Sequence, residues 1–288
     1  MKLAVIGANG QFGSDIARIA RERRFEVIGL THQDCDVRDR ASLDRALSAI
    51  GAGDVVVNTA AMHKTDECQL RPAAAVEVNV HGAYHAALAA AARGATPVYI
   101  STDYVFDGSK RAPYLESDAP LPLQVYGSSK AAGEALVRLV ASHYIVRVSS
   151  LFGVAGSSGK GGNFVETMLA RGGGGEKPRV VDDIVSSPTS TADAAALFVD
   201  LLERKAPFGT YHLANEGAAS WREFADEIFA QCGLRVRAEP IKSKDMIGLR
   251  RPAYSVLASE KLAELGLSAR PWRDGLRDYL KAKGHIKG

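Results

Sequence analysis

The chain has 288 residues, 46% hydrophobic and 24% charged, with a formal net charge of +3 at pH 7. These are ordinary values for a globular protein of one or two domains. No Lys/Arg block is long enough to mark a nucleic-acid binder, and no apolar run reaches the ~18 residues of a membrane span.

Lys2–Ile6 is an apolar run of strand length, followed at once by Gly7-Ala8-Asn9-Gly10-Gln11-Phe12-Gly13, and Ile16, Ile19 and Ala20 then recur at helical spacing. Strand, glycine-rich turn and helix in that order are the setting a dinucleotide fingerprint requires. Glycine lets the backbone approach a pyrophosphate, and the helix N-terminus offers it free N–H donors. Because the chain enters a strand immediately, no signal peptide is expected. Cys35, Cys68 and Cys232 are odd in number and widely spaced, which implies a reduced, cytoplasmic protein without a structural metal.

Strand-like and helix-like segments then alternate. Glu26–Leu30 reads as a second strand, and Leu43, Ala46, Leu47 and Ile50 mark a helix. Val55–Asn58 is a third strand, the Ala-rich residues 73–93 one long helix, and Val98–Ser101 a fourth strand. A helix through Ala135, Leu136 and Leu139 follows, then a fifth strand at Ile145–Val148. This alternation predicts an α/β fold with a doubly wound parallel sheet of Rossmann type, its ligands at the carboxyl ends of the strands. Asn58, Ser101, Thr102 and Ser149 fall at such ends.

Tyr126-Gly127-Ser128-Ser129-Lys130 opens the helix between the fourth and fifth strands. Residues four apart share a helix face, so a phenol and an ammonium stand side by side. A free tyrosine titrates near ~10, and a neighbouring cation is expected to lower that value and bring proton transfer into physiological range.

From about residue 153 the texture changes. Glycine-rich loops at Gly153–Gly162 and Gly172–Gly175 flank a short helix at Asn163–Arg171. The stretch Gly156–Gly161 fails as a phosphate loop, because Val154 stands where the first glycine belongs and Gly161 where a hydroxyl residue is needed. Trp221, Phe224, Ile228 and Phe229 form one amphipathic stripe and Leu276, Tyr279 and Leu280 another, both read as core. The organisation expected is a dinucleotide-binding domain over 1–150 and a smaller, discontinuous substrate lobe over 151–288, with segments near 180–215 and 253–258 returning to the first.

Several stretches in family order resemble the dTDP-4-dehydrorhamnose reductases, extended short-chain dehydrogenase/reductases. They are Gly7–Gly13, Asn58–Ala61, Asn79–Ala83, Ser101–Gly108, Val125–Lys130, Gly162–Phe164, Ser187–Thr189 and Arg251–Leu257. The resemblance implies NADPH-dependent reduction of the 4-keto group of dTDP-4-dehydro-L-rhamnose to dTDP-L-rhamnose. Thr102, Tyr126 and Lys130 would be catalytic, with Thr102 bonding the ketone, Tyr126 protonating it, and Lys130 tuning Tyr126 while holding the nicotinamide ribose. Gly7, Asn9, Gly10, Gln11, Phe12, Gly13, His32, Asp36, Val37, Ala60, Ala61, Tyr126 and Lys130 would bind the cofactor. Thr102, Asp103, Tyr104, Val105, Tyr126, Asn163 and Arg251 would meet the nucleotide-sugar. Asn79 is expected to brace backbone, and no metal is implied. A homodimer is compatible with the family.

Two departures stand out. Ser150 follows Arg147-Val148-Ser149 where the family commonly has a Trp against the sugar, and Asp183-Ile184 replaces Asp-Gln. The second strand ends Leu30-Thr31-His32 with no acid until Asp34, and Arg38 lies nearby. NADP(H) is therefore favoured over NAD(H), with dual use compatible. Two alternatives stay open. A dehydratase or epimerase would share the fold, although Tyr104 replaces the glutamate a dehydratase uses after Thr-Asp. A non-catalytic NADP-binding subunit, like the methionine adenosyltransferase β subunit, is the other.

Overall fold

A computed structural model describes residues 1–156, 162–245 and 248–287. Most of the glycine-rich run rejected above as a phosphate loop, residues 157–161, lies outside them. Six strands, β1 (Lys2–Ile6), β2 (Glu26–Leu30), β3 (Val55–Asn58), β4 (Thr96–Thr102), β5 (Tyr144–Val148) and β6 (Gly209–His212), form one sheet in the order β2-β1-β3-β4-β5-β6. Every pairing in it is parallel. The order reverses at β1, where β2 lies on one side and β3 on the other. Such a switch point opens a crevice beyond the carboxyl ends of the strands.

The strands are apolar on both faces because helices cover both. On one face α1 (Gln11–Glu22) packs with α8 (Thr191–Glu203), burying Leu3, Val5, Ile16, Phe198 and Leu201. Each such side chain contributes ~1.5–3 kcal/mol relative to exposure. On the other face α2 (Arg40–Ala46), α5 (Gly82–Ala91) and α6 (Val125–Val137) cover Ala4, Val56, Tyr99 and Ile145.

The expected single helix over 73–93 is three pieces: α4 (Pro72–Val76), a π-helical segment at Glu77–His81, and α5. The π segment carries Asn79, fully buried. Its amide grips Met62 by the backbone N–H (2.9 Å) and carbonyl (3.0 Å), and donates to Ser129 Oγ at 2.9 Å. This side chain braces the loop that carries α3 (Thr65–Leu70) against α6.

A second core joins α7 (Phe164–Gly173), α9 (Trp221–Gln231) and α11 (Trp272–Ala282), through Val165, Met168, Phe224, Ile228, Phe229, Trp272, Leu276 and Leu280. The helix read as ending at Arg171 runs two residues further, to Gly173. A short helix, α10 (Glu260–Glu264), precedes α11. Among the described residues no helix is long and apolar enough to cross a membrane.

Candidate active site

The turn after β1 is built for close approach. Gly7 has φ +82, and a Cβ on Gly13 would sit 2.3 Å from the Gly7 carbonyl oxygen. Two glycines therefore let α1 start directly against the strand end. No side chain caps α1 at Gly10, so its first-turn N–H groups face the crevice without intrahelical partners. Gln11 Nε2 donates to the Leu151 carbonyl at 3.0 Å, while its Oε1 is buried with no partner.

α6 begins where Gln124 Oε1 accepts from Gly127 N–H at 3.2 Å. That start places Tyr126 and Lys130 one turn apart, facing the end of β4. Thr102 lies at that end, and its hydroxyl bonds the Tyr126 phenol. It also donates to Asp103 Oδ1 at 3.1 Å and accepts from Tyr104 N–H at 3.2 Å. A ketone oxygen placed between Thr102 and Tyr126 would meet the phenol as a donor, and the Thr102 hydroxyl as a second one only if its proton turned from Asp103 to the ketone.

Burial pushes the Tyr126 phenol well above its ordinary value, with only the Thr102 bond working against it. Here the sequence expectation is corrected. The phenol is raised, not lowered, despite Lys130 one turn away; the Lys130 Nζ lies 3.9 Å from the centre of the Tyr99 ring. Burial draws the Lys130 ammonium down to about 7, opposed by the charge of Glu134. The protonated phenol is the form a proton donor needs.

A cleft of about 1070 Å³ runs from the turn after β1, across Thr102, Tyr126 and Lys130, to α7 and α9. It brings together Gly7, Asn9, Gly10, Gln11, Phe12, Gly13, His32, Asp36, Val37, Ala60 and Ala61 at one end. Thr102, Asp103, Tyr104, Tyr126, Lys130, Asn163 and Arg251 line the remainder. Val105 is the exception and corrects the expectation of a substrate contact: it is fully buried in a separate cluster with Phe106, Tyr114, Ala214 and Leu257.

Several lining residues have their side chains engaged by the protein itself. Asp103 Oδ2 accepts from Ser149 (3.0 Å) and Ser255 (2.6 Å). Asn163 caps α7 through Glu166 N–H and donates to the Gly153 carbonyl and Tyr279 Oη. Arg38 grips Asp36 with two nitrogens, at 2.9 and 2.6 Å, and holds that carboxyl down to about 2. Arg251 makes no ion pair with a described residue, and its charge faces the phenol of Tyr104.

Sequence reasoning passed over an aromatic wall beside the second core. Phe164 and Trp221, half-buried with ring centres 4.7 Å apart, line the same cleft as Ser150. The Trp221 stripe was read as core, which holds for Ile228 and Phe229. Trp221 begins α9, before the helix turns fully inward, and that N-terminal position was the available signal.

A dinucleotide fits these residues. The uncapped α1 terminus, the unpartnered Gln11 oxygen and the lysine ammonium answer a pyrophosphate, a polar group and a ribose in turn. Among the described residues no group of three or more His, Cys, Asp or Glu is placed to hold a metal.

The model of one family, the RmlD substrate binding domain, matches residues 1–284. The chain is 38% identical to the spore coat polysaccharide biosynthesis protein SpsK of Bacillus subtilis over 98% of both chains. A solved dTDP-4-dehydrorhamnose reductase from Clostridium acetobutylicum superposes with a TM-score of 0.92 and 34% identity, over 99% of this chain and 100% of the other. One from Bacillus anthracis, in complex with NADP, gives 0.90 and 32%, over 98% and 99%.

Proposed function

The chain belongs to the dTDP-4-dehydrorhamnose reductase family, NAD(P)-dependent oxidoreductases, and from that premise we propose that it reduces the 4-keto group of dTDP-4-dehydro-L-rhamnose with NADPH. The observation that carries this reading is the convergence of Thr102, Tyr126 and Lys130 on the floor of one cleft. That cleft is also lined by the dinucleotide turn and by an arginine, Arg251, with no ion pair to a described residue.

Gly7 to Gly13 and the first turn of α1 hold the pyrophosphate, and Lys130 holds the nicotinamide ribose. Bound NADPH supplies the hydride that the sugar C4 accepts. Thr102 orients the ketone oxygen, and Tyr126, kept protonated by its burial, delivers the proton to that oxygen as negative charge develops. Asp103, tied behind Thr102 by two serines, accepts from the Thr102 hydroxyl and so fixes it in place. Asn163 and Arg251 border the nucleotide-sugar, with Arg251 supplying the guanidinium for its diphosphate. Kinship to a spore coat polysaccharide protein fits a sugar destined for a surface polymer.

The test is NADPH consumption with dTDP-4-dehydro-L-rhamnose, with the product identified by mass and retention. Stoichiometric dTDP-L-rhamnose is expected. NADPH binding without turnover of any dTDP-4-dehydro-6-deoxysugar would support the non-catalytic alternative instead.

A further inference from the structure

Lys130 and Tyr99 are 2% and 1% exposed, and the ammonium lies directly over the ring. This is a costly place for a cation, since a buried ammonium without a counter-ion tends to give up its proton. Among the described residues no carboxylate pairs with it. Glu134, the next residue on that helix face, spends its oxygens on Arg147 (2.9 and 2.8 Å) and Arg138 (2.8 Å). The remaining groups facing Lys130 are Tyr126 on its own helix and Cys68 on α3, whose thiol burial pushes up and so keeps neutral. Beside the charge of Glu134, which acts without a direct ion pair, the negative face of Tyr99 compensates the ammonium.

The ring is itself fixed. Tyr99 Oη donates to the Asn79 carbonyl in the π segment at 2.9 Å. Across α6, a Cβ on Gly133 would come within 2.5 Å of that Oη, so the helix rests on the phenol with nothing between. Sheet, π segment and α6 therefore meet at one aromatic side chain, and Lys130 projects over it.

We propose that Tyr99 is a positioning residue for Lys130, its ring face holding the ammonium in place and charged beside Tyr126. The inference rests on Lys130 having the role given above, but it makes a separate physical claim. What matters is the face of the ring, with the hydroxyl serving only to anchor it.

The test compares Tyr99→Phe with pentafluorophenylalanine at the same position, which keeps the ring's shape and reverses the charge of its face. Tyr99→Leu, which removes the face, is the third variant. The titration of Lys130 is followed by the NMR shift of its Cε, assigned through Lys130→Arg, in protein without substrate. The alkaline limb of the turnover profile is measured alongside. Tyr99→Phe should keep the wild-type midpoint, whereas the fluorinated ring and Tyr99→Leu should lower midpoint and limb together by about one pH unit. Equal midpoints in the phenyl and fluorinated proteins would overturn the proposal even with turnover intact. If the wild type turned over no sugar nucleotide, the functional reading would fall, while the NMR titration would still decide the role of Tyr99.

Discussion

Ser255 donates to Asp103 Oδ2 at 2.6 Å, joining residues 152 positions apart in the chain. Ser149 Oγ, at the end of β5, donates to the same oxygen at 3.0 Å. One carboxylate thus ties β4, β5 and the segment after Arg251 together, immediately behind Thr102. The placement of Thr102 relative to the segment after Arg251 depends on it.

That carboxylate has a pH signature. Burial raises Asp103 to about 6 from an ordinary value of 3.8, although the Ser255, Ser149 and Thr102 hydroxyls work against the rise. Below pH ~4 both the folded and unfolded chains hold the proton, and nothing is lost. Between ~4 and ~6 the unfolded chain releases it first, so stability falls as pH rises, by about 3 kcal/mol in total. Asp103→Asn should remove that slope. Urea unfolding from pH 4 to 7 should show the variant gaining on the wild type by about this amount, and parallel curves would mean the carboxylate ionises without cost.

Tyr126→Phe removes only the phenolic proton and its bond to Thr102. Turnover should fall by ~10²–10⁴, the range of general acid catalysis. NADPH affinity, titrated by fluorescence, should stay within about twofold. Near-wild-type turnover would remove Tyr126 as the proton donor.

Lys130 is drawn down to about 7 by burial. Its ammonium form therefore predominates below that pH and is lost above it, so turnover should decline on the alkaline side. Lys130→Ala should abolish that limb and weaken NADPH binding as well as turnover, since the ribose loses its partner. Cofactor affinity equal to the wild type would separate Lys130 from the ribose.

Much of this architecture was legible in the sequence because its signals were local. The five apolar runs matching β1 to β5 need no tertiary information, and the Tyr126–Lys130 spacing fixes a shared helix face. β6 was not legible. Gly209–His212 offers Thr210 and His212 as buried polar residues, and only pairing with β5 gives the segment a place in the sheet. The π segment was equally hidden, since Asn79 gains its partners from Met62 and Ser129, both distant from it in the chain. The influence of Lys130 on Tyr126 was misjudged for a related reason. Spacing on a helix says that two side chains share a face, but the Tyr99 ring on β4 decides where the ammonium rests.

Arg251 carries the prediction furthest from the chemistry of Thr102, Tyr126 and Lys130. It lines the cleft and has no acidic partner among the described residues, unlike Arg38, which Asp36 already holds. A guanidinium left unpaired beside a deep cleft is suited to a diphosphate, which it can grip with two nitrogens. Asn163 offers no such freedom, because its amide caps α7 and bonds Gly153 and Tyr279. Arg251→Ala should therefore weaken dTDP by roughly 30-fold or more, the equivalent of ~2–5 kcal/mol for a desolvated charge pair. NADPH affinity should barely change, because in the proposed arrangement its pyrophosphate sits at the N-terminus of α1 and not at Arg251. Asn163→Ala should instead act mainly on stability, at ~1 kcal/mol for a lost helix cap. Calorimetric titration of both variants with dTDP separates the two roles. An unchanged dissociation constant in Arg251→Ala would take the guanidinium out of the nucleotide site.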